Sequence, residues 1–366
     1  MAPDTGIPAW VTYPGERWEA ISPTEAGLDP GKFQDWLDAH PIGPGTWEGE
    51  SHGEGEWGCV LTRGGYLIHT WGNPDYRYQT ASLGKAFTWA LVGLSVDAGM
   101  IRPDEPIRLT WTGESELSHP HKYLDRGHHR TLTWQHLIGR KDEYEHRGGF
   151  PVTNGYFWRQ GSTAQSSRGD PKHASVPDWA HWTGDPFYDN YAHAPPGSVG
   201  MYSSGGLWRL SQALTALWGR DMKAVMDERI FSHLRVPPER WDWTPGRVVH
   251  ETRDWYPHMP GYGDYLDPPH EIGGHPVRGG PGWVVMSAKD LARFGLLVAT
   301  RGTWRGERLV SADWVRGHSG GNGSYVGGES VHYTSVGRVT TDAGPGPLPD
   351  KLFVGPVKRA AEELAP

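Results

Sequence analysis

The sequence has one cysteine among its 366 residues, Cys59. A single cysteine cannot form a disulfide within the chain, which excludes a small disulfide-stapled scaffold. Long hydrophobic runs are also missing, so no stretch is suited to cross a bilayer as a helix. The first residues show no basic segment followed by an apolar core, which is the pattern of a secretory signal. We therefore expect a cytoplasmic protein with no membrane partner.

Basic residues are in the minority, with 35 Lys and Arg against 43 Asp and Glu and a formal net charge of -8. This balance argues against nucleic acid as a partner. Histidines are scattered between residues 119 and 146, but none has a zinc-site spacing with another histidine or with the cysteine. We expect no metal site and no other cofactor. The partner that we expect is a small-molecule substrate.

Glycine, proline and tryptophan are abundant, with 51, 31 and 20 residues. They imply many ordered loops, and the tryptophans either line a cleft or pack these loops onto the core. Residues 110–186 form a polar and irregular stretch that contains one clear short helix, at residues 132–138. Residues 236–282 form a second loop-rich stretch. Long irregular segments are usually functional, so we expect them to form the wall of a cleft.

A serine and a lysine three residues apart, Ser82 and Lys85, lie where a β-like segment gives way to an apolar helical pattern that should stop at Gly99. Residues three apart share one face of a helix, which would place the Ser82 hydroxyl beside the Lys85 amine. Such a pair can perform covalent catalysis if the lysine is neutral when it takes the proton. The same spacing also arises without catalysis, because serine is a good N-cap and lysine a good helix former.

Other local signals predict further elements. Asp29 and Pro30 form an N-cap and first-turn proline that open a helix with Phe33 on its buried side. Two β-type segments around a glycine turn predict a hairpin at residues 59–69. A capping box at residues 287–290 predicts a helix that stops at Gly302, and Ser311 is expected to cap a short helix after it.

Four stretches, set within residues 18–315, match one set of motifs. They are Ser-x-x-Lys at residues 81–85, T-x-x-x-L-L at 132–138, P-G-x-x-x-x-Y-S-N at 196–204 and G-G-x-x-S-T-A-x-D-L-A-R-F at 280–294. Each is weak alone, but four in the right order are a strong signal. In this respect the chain resembles the serine β-lactamase and penicillin-binding-protein-like superfamily, in particular its class C-like esterase and serine hydrolase branch.

The resemblance implies an α+β fold, in which an antiparallel β-sheet is flanked by helices and a mostly helical, loop-rich region packs beside it. Residues 1–366 would form a single catalytic unit. Residues 1–100 and 283–366 would build the sheet part, and residues 101–282 the helical and loop-rich part that lines the cleft. A homo-oligomer, in which another copy completes the sheet, stays open.

The resemblance also implies roles for individual residues. Ser82 would be the nucleophile, Lys85 would help to deprotonate it, and Tyr202 would act as a general base or a proton shuttle. Ser204 stands where the family has asparagine. Its hydroxyl can still bind Lys85 or a substrate amide, but it is shorter and offers one donor. This exchange disfavours amide or lactam recognition more than ester cleavage.

The family's third motif, Lys-Thr-Gly or His-Thr-Gly, lies on an edge strand that supplies one N–H to the oxyanion hole. His318 and the two residues after it match this motif by spelling, whereas residues 353–357 match it by position. Both alternatives stay open, with His318 assigned to the oxyanion and substrate-binding set. After the T-x-x-x-L-L helix the family's His-Thr-Ser-Gly is replaced by residues 139–144, which carry charge.

These features predict a serine hydrolase that acts through a Ser82 acyl-enzyme on a small ester or amide, with esterase or acyl transferase activity favoured. A D-amino-acid or ω-amino-acid amidase or peptidase is the second hypothesis, and it would need a carboxylate partner such as Arg140, Arg147 or His318. A non-catalytic binding relative of the fold is the third. The unclear third motif favours it, and the intact serine, lysine and tyrosine disfavour it.

Overall fold

The computed structural model describes residues 7–39, 41–43, 46–47, 50–51, 55–80, 84–114, 116, 124–125, 127–138, 153–154, 196, 200–201, 204–251, 266, 268–318 and 357. Within these ranges helices alternate with short antiparallel strands, which confirms the α+β class. The α-helices are α1 Pro30–Ala39, α2 Lys85–Asp97, α3 Trp134–Ile138, α4 Ser204–Trp218, α5 Met222–Met226, α6 Gly246–Glu251, α7 Ala288–Ala299 and α8 Ala312–His318. None of the described helices has the length and apolar character that a membrane span requires.

The strands are short, and several have only two residues. They are β1 Thr46–Trp47, β2 Glu50–Ser51, β3 Gly58–Arg63, β4 Tyr66–Gly72, β5 Arg77–Gln79, β6 Thr153–Asn154, β7 Gly200–Met201, β8 Asp242–Trp243, β9 Glu271–Ile272, β10 His275–Pro276, β11 Val284–Ser287, β12 Thr303–Trp304 and β13 Glu307–Arg308. Strand β11 is the centre of a three-stranded antiparallel sheet, with β5 on one side and β8 on the other. Segments far apart in the sequence therefore meet in this sheet.

Strands β3 and β4 form the predicted hairpin, closed by Gly64 and Gly65 with φ of 58° and 89°. Two consecutive residues with positive φ match the right-handed twist of the flanking strands, and glycine adopts this conformation without steric cost. Helix α7 packs on the hairpin through Ala288 and Ala292, which meet Val60. An N-terminal hairpin and a C-terminal helix thus form one layered unit.

Helix α2 is the centre of the larger hydrophobic core. Every residue from Lys85 to Ser95 is buried, so the helix is covered around its whole circumference and not only along one stripe. This is expected of a helix that is apolar on all sides. The helix ends at Asp97, and Gly99, with φ of 65°, donates its N–H to the Val96 carbonyl. The predicted stop at Gly99 is confirmed.

The predicted caps are also present. The Asp29 carboxylate accepts the Lys32 N–H at 3.0 Å, and the Ser287 hydroxyl accepts the Asp290 N–H at 3.2 Å. At the start of α8, the Ser311 hydroxyl accepts the Trp314 N–H at 3.3 Å. These side chains satisfy backbone donors that have no partner inside the helix.

The described tryptophans mostly pack in the core. Five have almost no exposed surface, and they are Trp89, Trp134, Trp208, Trp241 and Trp243. The packing interpretation is therefore confirmed for these residues. The described part of residues 236–282, expected as a loop-rich stretch, contains helix α6 and three two-residue strands. Elements this short have no hydrophobic period by which a sequence could reveal them.

Candidate active site

Lys85 is the first residue of α2, and its side chain is completely buried. Its Nζ donates a hydrogen bond of 2.6 Å to the carbonyl oxygen of Pro281. A buried amine needs such an acceptor, because an unpaired polar group inside the protein costs free energy. The structure therefore holds the lysine of the Ser-x-x-Lys motif inside the protein and in one direction.

The acceptor belongs to residues 279–282, Gly-Gly-Pro-Gly, which we name the GGPG loop. The start of α2 lies along this loop in antiparallel order. A Cβ atom on Gly84 would lie 2.8 Å from the carbonyl carbon of Gly282, so the two backbones touch. The Thr88 hydroxyl donates to the Gly280 carbonyl at 2.8 Å. Gly84, Lys85 and Thr88 thus face three successive residues of the loop.

The loop is also held from the opposite side. The Trp243 indole N–H lies 2.9 Å from the Gly279 carbonyl and 3.0 Å from the Gly282 carbonyl, so it donates to both ends of the loop. Just after the loop, the Val284 carbonyl accepts the Thr80 N–H at 2.8 Å and the Thr80 hydroxyl at 3.0 Å. Thr80 precedes Ser82 by two residues, and this contact anchors the chain there.

Helix α4 reaches the same loop from another direction. A Cβ atom on Gly280 would lie 2.7 Å from the Leu207 carbonyl oxygen and 2.7 Å from the Ser211 Cβ. The Ser211 hydroxyl donates to the Arg278 carbonyl at 2.9 Å. The first turns of α2 and α4 therefore meet across the GGPG loop. These are the turns that follow the Ser-x-x-Lys stretch and the Tyr-containing stretch in the sequence.

Of the predicted site residues, Lys85 has a described side chain. Ser82 and Tyr202 lie outside the described residues, as do Arg140 and Arg147. Ser204 is the first residue of α4. Its side chain also lies outside the described part.

His318 is the last residue of α8. The Ser311 cap and the buried side chains of Trp314 and Val315 favour a helix there. The family's third motif lies on a strand, so the backbone at His318 differs from the motif's. Within the alternative segment 353–357, Val357 is described and is completely buried beside Leu61 and Tyr66 of the hairpin.

Tyr78, on β5, is close in sequence to Ser82, so it is a second tyrosine, besides Tyr202, to consider as a base. Burial and the neighbouring Cys59 raise the pKa of Tyr78 to about 12. A phenol with this pKa stays protonated at neutral pH, so Tyr78 is poorly suited to accept a proton from a nucleophile. Burial likewise raises the pKa of the Cys59 thiol to about 11, which makes it an unreactive cysteine.

The T-x-x-x-L-L stretch forms α3, and its threonine and histidine form a capping pair. The Thr133 hydroxyl accepts the His136 N–H at 3.1 Å, and His136 Nδ1 accepts the Thr133 N–H at 3.1 Å. Leu137 and Ile138 are buried in the same core as α2. Burial lowers the pKa of His136. The motif thus stabilises a short helix.

The D-L-A-R-F stretch contributes a buried ionic network in α7. Arg240 donates to both carboxylate oxygens of Asp290, at 2.6 and 3.1 Å, and the Arg293 guanidinium lies 3.8 Å from the same carboxylate. Burial raises the pKa of Asp290, and the two arginines and the Ser287 hydroxyl oppose this effect.

Among the described residues, no group of three His, Cys, Asp or Glu side chains could hold a metal ion.

Thr88, Trp243 and the acceptor role of Pro281 are not evident from the sequence. The glycine-rich run at 279–282 is a visible signal, since closely approaching backbones need glycine. Its partners could not be read from it, because Lys85 and Pro281 are 196 residues apart.

Comparison with protein-family models gives one result that covers well over half of the chain. The Beta-lactamase family model matches residues 59–339. This range contains all four stretches that resemble the family's motifs. A comparison with curated proteins gave no match.

Solved structures with a similar fold are distant in sequence. A provisionally named 6-aminohexanoate-dimer hydrolase from Bacillus anthracis is 15% identical, with 84% of this chain and 68% of that chain covered and a TM-score of 0.46. An octameric penicillin-binding protein homologue from Pyrococcus abyssi is 16% identical, with 71% and 54% covered and a TM-score of 0.40. A class C β-lactamase from Rhodobacter sphaeroides is 17% identical, with 78% and 68% covered and a TM-score of 0.38.

Proposed function

Because the chain belongs to the Beta-lactamase family, we propose that it is a serine hydrolase that forms an acyl-enzyme on Ser82. The observation that carries this proposal is the position of Lys85. It lies three residues after Ser82, at the start of a helix that is buried from Lys85 to Ser95, with its amine fixed by the Pro281 carbonyl at 2.6 Å. A lysine held inside the protein, three residues after a serine, is suited to move a proton and not merely to solvate a surface.

In the proposed reaction, Ser82 Oγ attacks the carbonyl carbon of the substrate and the carbonyl electrons move onto oxygen. The hydroxyl proton passes to the Lys85 amine or to a Tyr202 phenolate. When the tetrahedral intermediate collapses, the bond to the leaving group breaks and the leaving alcohol or amine takes that proton. Water then attacks the acyl-enzyme in the same way, which releases a carboxylic acid and restores Ser82.

The oxyanion would be held by backbone N–H groups. One is the N–H of Ser82, near the N-terminus of α2, where the helix dipole favours negative charge. We assign the second to the segment at residues 353–357, of which Val357 is described, in preference to His318. Two observations support this choice: His318 ends a helix, and Val357 is buried against the hairpin.

We propose a small ester as the substrate class. Ser204, in place of the family's asparagine, is shorter and offers one donor, whereas the amide group of asparagine offers two donors and a separate carbonyl acceptor. A substrate amide would lose a partner there, whereas an ester has no N–H to satisfy. Turnover of p-nitrophenyl esters without turnover of the matching anilides is the expected result, and faster anilide turnover would favour the amidase alternative.

Intact-mass analysis with a fluorophosphonate probe tests the site itself. The wild-type protein should gain one adduct, Ser82→Ala should gain none, and Tyr202→Phe should react more slowly. Tyr78→Phe is the matched control and should react at the wild-type rate, because its phenol is not a base at neutral pH. No adduct on the wild-type protein would mean that the chain is a non-catalytic binding relative of the fold.

A further inference from the structure

Thr88 is a buried polar residue whose hydroxyl contacts the GGPG loop of the proposed site. It lies on α2 one turn after Lys85, its side chain is completely buried, and its hydroxyl donates to the Gly280 carbonyl at 2.8 Å. Lys85 donates to the next carbonyl along the loop, that of Pro281. The two side chains therefore bind consecutive peptide groups from one helix face.

The direction of this hydroxyl is unusual for a threonine inside a helix. Serine and threonine at such positions commonly bond to the carbonyl four residues earlier in the same helix. Ser95 does so with Leu91, and Thr215 does so with Ser211. Thr88 instead donates to a loop that is 192 residues away in the sequence. Its contact ties two separate segments together.

The GGPG loop needs such anchors. Three of its four residues are glycines, which have more backbone freedom than any other residue. Trp243 donates to the carbonyls of Gly279 and Gly282, at the two ends of the loop. The carbonyls in the middle of the loop are bound by other groups. Thr88 binds the middle, directly before the carbonyl that Lys85 uses.

We propose that Thr88 is a positioning residue for Lys85, because it fixes the Gly280–Pro281 peptide and thereby the adjacent Pro281 carbonyl, which accepts the lysine amine. The inference rests on the proposed function of Ser82 and Lys85. A fixed acceptor keeps the amine in one rotamer, beside the hydroxyl that it must deprotonate. A mobile acceptor would let the amine sample other directions and would stabilise its protonated form less.

Two substitutions separate the hydroxyl from the shape of Thr88. Thr88→Val keeps the shape and removes the donor, whereas Thr88→Ser keeps the donor. We expect the rate of fluorophosphonate labelling to fall about 10- to 100-fold in Thr88→Val and to stay within about threefold of the wild type in Thr88→Ser. Thr215→Val is the control, since it removes another buried hydroxyl, and it should label at the wild-type rate.

The pH dependence distinguishes positioning from a general loss of stability. With a weaker acceptor the ammonium of Lys85 is less favoured, so the acid limb of the labelling profile should move to lower pH in Thr88→Val. The titration of the Lys85 13Cε resonance should move in the same direction, and Lys85→Arg identifies that resonance. Thr215→Val should change neither.

Wild-type labelling rate and pH profile in Thr88→Val would overturn the inference. If Thr88→Val does not fold, Thr88→Cys keeps a side chain of similar size with only a weak donor, and an unchanged Lys85 titration in it would overturn the inference instead. If the wild-type protein is not labelled at all, the proposed function fails. The Lys85 titration then still decides whether Thr88 positions the amine.

Discussion

Single residues decide how closely helix α2 approaches the GGPG loop, and Gly84 is the clearest case. Its φ of -58° is an ordinary helical value that any residue can adopt. A Cβ there would nevertheless lie 2.8 to 2.9 Å from three backbone atoms of Gly282. Backbone cannot rotate away as a flexible side chain does, so the requirement for glycine at this position is steric.

We predict that Gly84→Ala lowers the free energy of unfolding by about 1 to 3 kcal/mol, the usual cost of overpacking. It should also slow labelling of Ser82, because the Lys85–Pro281 contact is adjacent. Gly31→Ala is the control. It is also a helical glycine, but the nearest atom to its Cβ would be the Asp29 carboxylate at 3.4 Å, and we expect no loss of stability. Equal urea midpoints for the two variants would contradict the prediction.

The sequence identifies Lys85 as a candidate for chemistry, but it does not identify what holds the lysine. Helical spacing predicts that Lys85 shares a face with Ser82 and with Thr88, since each is three residues away from it. The hydrogen bond to Pro281 joins residues 196 apart, and no local pattern encodes a contact of that range. Glycine-rich composition signals a close backbone approach without indicating the partner.

At the scale of elements, capping signals were reliable. Asp29, Ser287 and Ser311 each accept a backbone N–H of the helix that they open, as predicted. The hairpin predicted at residues 59–69, from two β-type segments around a glycine turn, is present and extends over residues 58–72. These predictions succeed because the interacting groups lie within a few residues of one another.

Longer or irregular elements were predicted less well. The helix that begins after Asp221 is not regular throughout: α5 ends at Met226 and a π-helix follows at Asp227–Phe231. In that turn the Ser232 N–H donates to the Asp227 carbonyl, five residues earlier. The burial of Ile230 and Phe231 accompanies the wider turn. Tertiary packing thus overrides a regular helical period.

Helix α3 provides a prediction that depends on pH. His136 accepts the Thr133 N–H through Nδ1, which only the neutral ring can do, and burial lowers its pKa from 6.5. Because the unfolded chain binds the proton more readily, the contribution of His136 to stability is complete above about pH 6.5 and is lost as the pH falls below that value. Burial lowers the pKa of His69 as well, so its effect has the same sign.

We expect the free energy of unfolding of the wild type to fall as the pH is lowered below about 6.5, and His136→Gln to reduce that fall. Glutamine at this position can still bind the Thr133 N–H, as in a capping box, but it does not titrate. His136→Ala loses the cap at every pH, at a cost of about 1 kcal/mol. Urea unfolding across this range measures both effects. An identical pH dependence in His136→Gln and the wild type would assign the fall to other groups.

At the scale of the whole molecule, the order of four weak motifs predicted the family and the fold class. The family model matches residues 59–339, and the helices and antiparallel strands agree with the predicted class. The distribution of strands was less predictable. Strand β8, from the part expected to be helical and loop-rich, pairs with β11 on the side opposite to β5. A strand of two residues can extend a sheet, but it is too short to show the alternation of apolar and polar residues that predicts a strand.

An ionic network around Arg293 joins segments that are far apart in the sequence. Arg293 is completely buried and donates to the carbonyls of Pro14, Glu16 and Leu234, while its guanidinium lies 3.8 Å from Asp290. Burial lowers the pKa of Arg293 to about 10, and the Asp290 carboxylate opposes that effect. At neutral pH the arginine is therefore charged, and this carboxylate offsets the cost of burying it.

Removal of that carboxylate should weaken the whole fold and not one element. We predict that Asp290→Asn lowers the free energy of unfolding by about 3 to 5 kcal/mol, because a buried cation loses its counter-charge. Asp75→Asn is the matched control, since it breaks the Lys289 ion pair one residue away along α7, where Asp75 is 62% exposed. An exposed pair contributes about 0 to 1 kcal/mol. Urea unfolding of both variants measures the difference. If Asp290→Asn costs no more than Asp75→Asn, the carbonyls of Pro14, Glu16 and Leu234 alone suffice to stabilise the buried arginine.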